Sequence, residues 1–358
     1  MESSWLNTGR GPYTAREREL VGAGHAARAL AHFRGHAAYR PTPLRPLPAL
    51  AAAAGVGTVE IKDESGRMGL GSFKALGGMY AVARLVSAEA ERLYGPHPGD
   101  GRLREVAAAA PFVCASAGNH GLAMTAAVRE LGGDPVVYLS EDVPEPFARR
   151  LRSFGARVRR SAGDYEQSMA EAAQAARDHG WRLVADSSWE GYTAVPLDIM
   201  RGYTTLFAEI DTAPTHVFVQ AGVGGLAGAA AGYVRDRWGE DPRIVVVEPE
   251  AAPCLMVSAM EGRPARVGGG RTRLGRLDCR EPSLLAWRLL ARLADAFVTI
   301  TDEQAEAAAA TLAGQGVRLS PCGAAGAAGL LSTDPATRAA LALDADSRVL
   351  LVGTERAY

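Results

Sequence analysis

Short β-branched runs alternate with alanine-rich stretches of helical length along most of the chain, and this alternation constrains the fold more than any other feature. Strands separated by helical segments cannot close as two-residue hairpins; they pair in parallel, and a parallel sheet needs helices on its faces. The predicted strands are 58–62, 111–115, 135–139, 157–161, 182–185, 216–220, 243–248, 296–300 and 348–352. The predicted helices are 72–87, 121–131, 144–154, 165–179, 200–210, 225–238, 283–293, 302–312 and 323–330. The expected class is α/β, and 358 residues suit two lobes better than one.

Composition narrows the function. Lys plus Arg total 39 against 40 for Asp plus Glu, a net charge of -1, so no bulk charge recommends nucleic acid or a membrane surface as partner. Arg is favoured strongly over Lys, which makes a lysine inside a Gly-rich segment informative. Cys114, Cys254, Cys279 and Cys322 show neither metal-ligand spacing nor a disulfide framework, and no metal is expected. The first residues lack the apolar stretch of a signal peptide, and no run is long enough to span a bilayer. A cytoplasmic protein is expected.

Four segments carry chemistry. In Gly69-Leu70-Gly71-Ser72-Phe73-Lys74-Ala75-Leu76-Gly77-Gly78, Ser72 is expected to cap a helix with Lys74 in its first turn. Apolar neighbours lower a lysine pKa and free the neutral amine that forms an imine; the alternative is a helix-start lysine with its ammonium in water. Gly222-Val223-Gly224-Gly225 follows an apolar strand and opens a helix, which suits either a phosphate cradle or a plain tight turn. Ser116-Ala117-Gly118-Asn119-His120-Gly121 is a second strand–helix turn, whose Ser116 and Asn119 region is suited to gripping a carboxylate. His120 reads as a general base or, with no acid nearby in sequence, as a packed ring. Asp186, at a strand's C-terminal end, lies where open α/β sheets place ligands.

Taken in order, these segments, with Tyr39-Arg40-Pro41-Thr42-Pro43-Leu44, Lys62-Asp63-Glu64-Ser65, Trp189-Glu190-Gly191-Tyr192, Asp278-Cys279 and Glu281-Pro282-Ser283, resemble the fold-type II pyridoxal-phosphate (PLP) enzymes. That family includes threonine and serine dehydratases and cysteine synthase; among its members the chain is most similar to the diaminopropionate ammonia-lyases. The resemblance implies two open twisted-sheet lobes of the tryptophan synthase β-like architecture, with the cofactor between them. It implies a large PLP-binding domain of residues 1–76 and 194–358, a small mobile domain of residues 77–193, and a homodimer. Lys74 becomes the Schiff-base lysine and Asn119 the contact to the cofactor's phenolic oxygen. Gly222, Val223, Gly224 and Gly225 become the phosphate site, and Cys322 the neutral partner of the pyridine nitrogen. Ser116, Ala117, Gly118 and His120 fall in the substrate-binding loop, and Asp186 becomes a proton-transfer acid.

The implied activity is β-elimination from a small amino acid, foremost the L-form of 2,3-diaminopropionate, to pyruvate and ammonia. Two departures bear on it. Ala117 stands where the ammonia-lyase pattern Thr-Asp-Gly-Asn-His-Gly has its aspartate, and Ser320-Pro321-Cys322-Gly323 replaces Gly-Glu-Ser-Gly. Serine or threonine dehydration, and β-replacement by an amine or thiol, stay open as alternatives.

Overall fold

The computed structural model describes residues 3–116, 118–141, 143–163 and 165–357. In chain order the strands are β1 (Ser4–Leu6), β2 (Leu44–Pro46), β3 (Thr58–Asp63), β4 (Phe112–Ala115), β5 (Pro135–Ser140), β6 (Arg157–Ser161), β7 (Arg182–Leu183), β8 (His216–Gln220), β9 (Arg243–Pro249), β10 (Ala296–Ile300) and β11 (Arg348–Gly353). They form two sheets in two compact units.

The first unit comprises Met1–Phe73, Ser187–Thr193 and Tyr203–Tyr358. Its seven-stranded sheet has the order β1-β10-β9-β8-β11-β3-β2. The inner strands are parallel, and β1 and β2 close the two edges antiparallel. Strands β8 and β9 are apolar and almost wholly buried, as strands covered on both faces must be. The alanine-rich helix Pro321–Ser332 lies directly on this sheet, and its glycines explain the distance. A Cβ on Gly326 would sit 3.0 Å from the Phe218 carbonyl oxygen, and one on Gly329 would sit 2.4 Å from Val247 Cγ2.

The second unit comprises Lys74–Asp186 and Ala194–Gly202. Its sheet is all parallel, in the order β6-β5-β4-β7. The helix Lys74–Tyr94 packs here between two close neighbours. A Cβ on Gly202 would meet the Leu76 carbonyl oxygen at 2.4 Å, and one on Gly78 would meet Ala123 Cβ at 2.8 Å. Backbone therefore lies on backbone around the first turn of the Lys74 helix, which leaves that turn no room to shift.

The two units are bounded as follows, and two expected helix starts differ. Residues 187–193 belong with the first unit rather than the second, because Ser188 is tied to it: its N–H donates to Ser283 Oγ (2.9 Å) and its hydroxyl accepts the Leu285 N–H (2.8 Å). Residues 194–202 belong with the second unit, and so do 74–76, because Gly202 lies against Leu76 and Gly77. The helix predicted at 200–210 runs from Ala194 to Ala208; Pro196 sits in its first turn, where a missing N–H costs no hydrogen bond. Finally, Ser72 pairs with Glu355 as an isolated bridge, and the helix begins at Lys74 itself.

The helix Cys254–Glu261 was not expected and has a remote cap. Glu248, at the end of β9, accepts the N–H groups of Leu255 and Met256 through its two oxygens, each at 2.8 Å. It is fully buried, and burial pushes its carboxyl up to about 8 despite those two bonds.

Two predictions follow from this packing. Gly202→Ala should destabilise the protein by about 1–3 kcal/mol in urea unfolding, because only backbone can yield. Gly101→Ala, in open space on the helix Asp100–Ala109, should change stability by less than about 1 kcal/mol in the stabilising direction. Equal effects would show that the Gly202 contact is not tight. For Glu248 the folded value lies above the unfolded one, so its contribution is intact below about pH 4 and is lost as pH rises through about 8. Glu248→Gln should therefore lose less of its thermal midpoint between pH 5 and pH 9 than the native chain does; parallel curves would contradict a shifted Glu248.

Candidate active site

The chain has two lysines, Lys62 and Lys74, and their environments differ in kind. Lys62 points from β3 into the first unit and is 1% exposed. Its ammonium is committed to Glu209 Oε2 and to the Thr42 carbonyl oxygen, both at 2.6 Å. Lys74 opens a helix in the second unit with its side chain 24% exposed, and its Nζ lies 2.5 Å from Asp186 Oδ2. Only Lys74 offers an amine that a reagent can reach.

Asp186 follows β7, beyond the strand's C-terminal end. Burial would raise its carboxyl, but the charge and hydrogen bond of Lys74 outweigh that, and it is held well below the ordinary carboxylate range. The resting pair is thus ammonium and carboxylate. His120 is 3% exposed and faces the same pair electrostatically. Its Nε2 lies 2.7 Å from the Val184 carbonyl oxygen, so Nε2 carries the proton and donates it. Among the described residues Nδ1 has no hydrogen-bond partner. Burial lowers the ring's pKa and keeps it neutral. Asp186 therefore acts on His120 through its charge alone, and the ring is held by the Val184 carbonyl, as a packed histidine.

The turn after β4 completes this half of the chemistry. Ser116 Oγ accepts the Gly118 N–H at 3.2 Å, and Asn119 starts the helix Asn119–Glu130, 7% exposed. A Cβ on Gly121 would lie 2.9 Å from the Ser116 carbonyl oxygen, which holds the turn tight. Ala117 lies outside the described residues.

The remaining expected residues are in the first unit. Gly224 has φ +95° and caps the helix Gly225–Trp238, whose first-turn N–H groups have no partners inside the helix. Gly222 lies so close to Cys279 that a Cβ would meet its Sγ at 2.8 Å, and Val223 is fixed by its carbonyl, which accepts the Ser283 N–H at 2.9 Å. Cys322 is in the first turn of the helix Pro321–Ser332, capped by Ser320 Oγ. Burial, reinforced by Glu355, pushes its thiol up to about 12, so it is uncharged at neutral pH. Sequence reasoning missed the side chains that hold these parts: Gln220, whose amide donates toward the Cys322 and Gly323 carbonyls, and Glu355, which accepts from Ser320 Oγ at 2.5 Å.

The second unit holds an amine beside a carboxylate, and the first holds a glycine-opened helix N-terminus and a neutral thiol; taken each by itself, these suit an aldehyde and a phosphate respectively. Comparison with known proteins agrees. Residues 36–355 match the family described as Pyridoxal-phosphate dependent enzyme. Diaminopropionate ammonia-lyase of Escherichia coli (strain K12) is 36% identical over 282 residues, covering 75% of this chain and 70% of that protein. The Salmonella typhimurium protein of the same name is 34% identical over 354 residues, covering 88% and 85%. The crystal structure of the Escherichia coli diaminopropionate ammonia lyase in complex with D-serine is similar with a TM-score of 0.89 at 31% identity, over 99% of this chain and 93% of that one. The chain is a fold-type II member of the pyridoxal-phosphate-dependent enzyme family.

Proposed function

We propose that this chain is a PLP-dependent lyase that eliminates the β-amino group of L-2,3-diaminopropionate and releases pyruvate and two ammonia. The observation that carries the reading is that, of two lysines, only Lys74 has an accessible amine, and it is paired with a partly buried carboxylate. The names of the 34–36% identical relatives supply the substrate.

Lys74 Nζ would hold the cofactor, Asn119 would contact its phenolic oxygen, the Gly222–Gly225 amides would hold its phosphate, and Cys322 would face its ring nitrogen without charging it. Bound PLP supplies the electron sink that acidifies the substrate's α-carbon. The free Lys74 amine then takes the α-proton. Asp186 keeps a proton stored on Nζ at rest. Once Nζ is neutral, the chief influence lowering Asp186 is gone and burial raises its proton affinity, which suits it to move a proton at the substrate's distal amine or α-carbon. Ser116, Gly118 and His120 would line the carboxylate-binding turn. Ala117 supplies no carboxylate, so a base for the D-substrate is missing at that position.

The same proposal includes a cytoplasmic homodimer whose smaller body moves. Cys114, Cys254, Cys279 and Cys322 are all free thiols, in keeping with a reducing compartment, and no helix among the described residues is long and apolar enough to cross a membrane.

PLP-loaded protein should show the absorbance of a lysine–cofactor linkage, and Lys74→Ala should abolish it, because Lys62 cannot substitute. A persisting band would place the cofactor on another group. Asp186→Asn should keep the band and lower kcat by about 10²–10⁴. Offered L- and D-2,3-diaminopropionate, L-serine, D-serine and L-threonine, the native protein should release two ammonia per pyruvate from the L-diamine and little from the D-diamine. Faster turnover of a serine would instead support a dehydratase, and absence of elimination from all five would favour β-replacement.

A further inference from the structure

The approach to Lys74 contains a conformation that its sequence does not favour. Leu70 N–H donates to the Arg67 carbonyl at 2.9 Å and closes a four-residue turn whose central residues, Met68 and Gly69, have φ of +48° and +73°. Two positive φ values in succession are the mark of a type I′ turn, where Asn, Asp or Gly usually stands first. A methionine there is strained, and such strain persists only where the surroundings over-determine it. Gly71, at φ +88°, follows, and then Phe73 N–H donates to the Thr354 carbonyl at 3.1 Å immediately before Lys74.

What holds the turn is Arg67, fully buried at its first position. Its guanidinium donates to both oxygens of Glu64 at 2.7 Å, to both of Glu209 at 2.7 and 2.9 Å, to Thr42 Oγ1 at 3.0 Å and to the Arg40 carbonyl at 3.2 Å. Tyr39 OH donates to Glu209 at 2.7 Å, Thr42 N–H donates to it at 3.1 Å, and Lys62 completes the charge balance. Glu209 is held below the ordinary carboxylate range, Arg67 and Lys62 outweighing its burial. Two cations and two anions thus close on one another with every guanidinium N–H engaged, an arrangement that fixes geometry more than it adds stability.

We infer that the buried Arg67–Glu64–Glu209 cluster is a positioning device for Lys74: it clamps the strained Met68 turn so that the chain enters the Lys74 helix in one conformation. Arg67 and Glu209 are then positioning residues that touch neither cofactor nor substrate. The inference rests on the reading of Lys74 as the cofactor-binding lysine.

The test uses Arg67→Lys, which keeps the charge but loses the planar fork, and Met68→Gly, which removes the strain. The PLP-loaded proteins are compared by kcat, KM and the rate at which the lysine–cofactor absorbance returns when PLP is added to the stripped protein. Arg67→Lys should slow band formation and lower kcat by tenfold or more with KM changed by less than threefold. Adding Met68→Gly should recover at least a third of the lost rate, since a relaxed turn needs no clamp. A lowered thermal midpoint with band formation and kcat unchanged, or no recovery in the double variant, would overturn the inference and leave the cluster a structural element only. Should Arg67→Lys fail to fold, Thr42→Val, which removes one hydroxyl from the cluster, should slow band formation about threefold; an unchanged rate would overturn the inference equally. If Lys74→Ala retains the band, the reading of Lys74 itself has failed; if it does not, a negative result counts against the clamp alone.

Discussion

The largely covered carboxylate of Asp186 keeps its charge because the Lys74 ammonium lies beside it, and that pairing organises the second unit. The Asp186 side chain is 16% exposed at the end of a parallel sheet, and the ammonium that compensates it comes from Lys74, 112 residues earlier. Removing Lys74 would leave that charge without its partner. The pair therefore requires the Lys74 helix to start at one place. Gly202 and Gly78 secure it by letting neighbouring helices come down to backbone contact on that helix. The pair thus keeps the Asp186 charge satisfied within the second unit.

The first unit solves its electrostatic problem differently. Lys62, Glu64, Arg67 and Glu209 are buried as a neutral set that exposes nothing to a ligand, whereas Glu248 is buried against two backbone N–H groups and the Cys254 thiol. The first arrangement holds Glu209 below the ordinary carboxylate range; the second pushes Glu248 up to about 8. The Leu255 end of the helix capped by Glu248 lies against Gly224, so the glycine turn at the helix Gly225–Trp238 is backed by a side chain whose position depends on that cap.

Much of this architecture was legible in the sequence because the inner strands announce themselves. Strands β8, β9 and β10 are short apolar runs bounded by turn residues, and parallel pairing follows from the helices between them. Strands β1 and β2 were not legible: Ser4–Leu6 and Leu44–Pro46 are short and partly polar, and they become strands only because β10 and β3 offer open edges. The helix Cys254–Glu261 was hidden because Cys-Leu-Met-Val has no helical period and its cap comes from β9. The candidate residues were found through their local Gly-rich turns. What sequence could not supply was partnership across distance, such as Asp186 with Lys74, or Glu209 with Arg67 in a segment that otherwise reads as an ordinary helix end.

The interleaving of the two units has a consequence for how the chain is made. Everything in the second unit lies between Lys74 and Gly202, so it can close once that stretch has left the ribosome. The first unit cannot: β1 waits for β10, and β3 waits for β11 near the far end of the chain. Until then its apolar strands have open edges and invite wrong pairing. The nascent chain thus carries its finished smaller body as an insert within an unfinished larger one. The interval between Gly202 and Val352 is the stretch of synthesis in which a chaperone, a slow codon or a raised temperature would decide how much native protein is obtained.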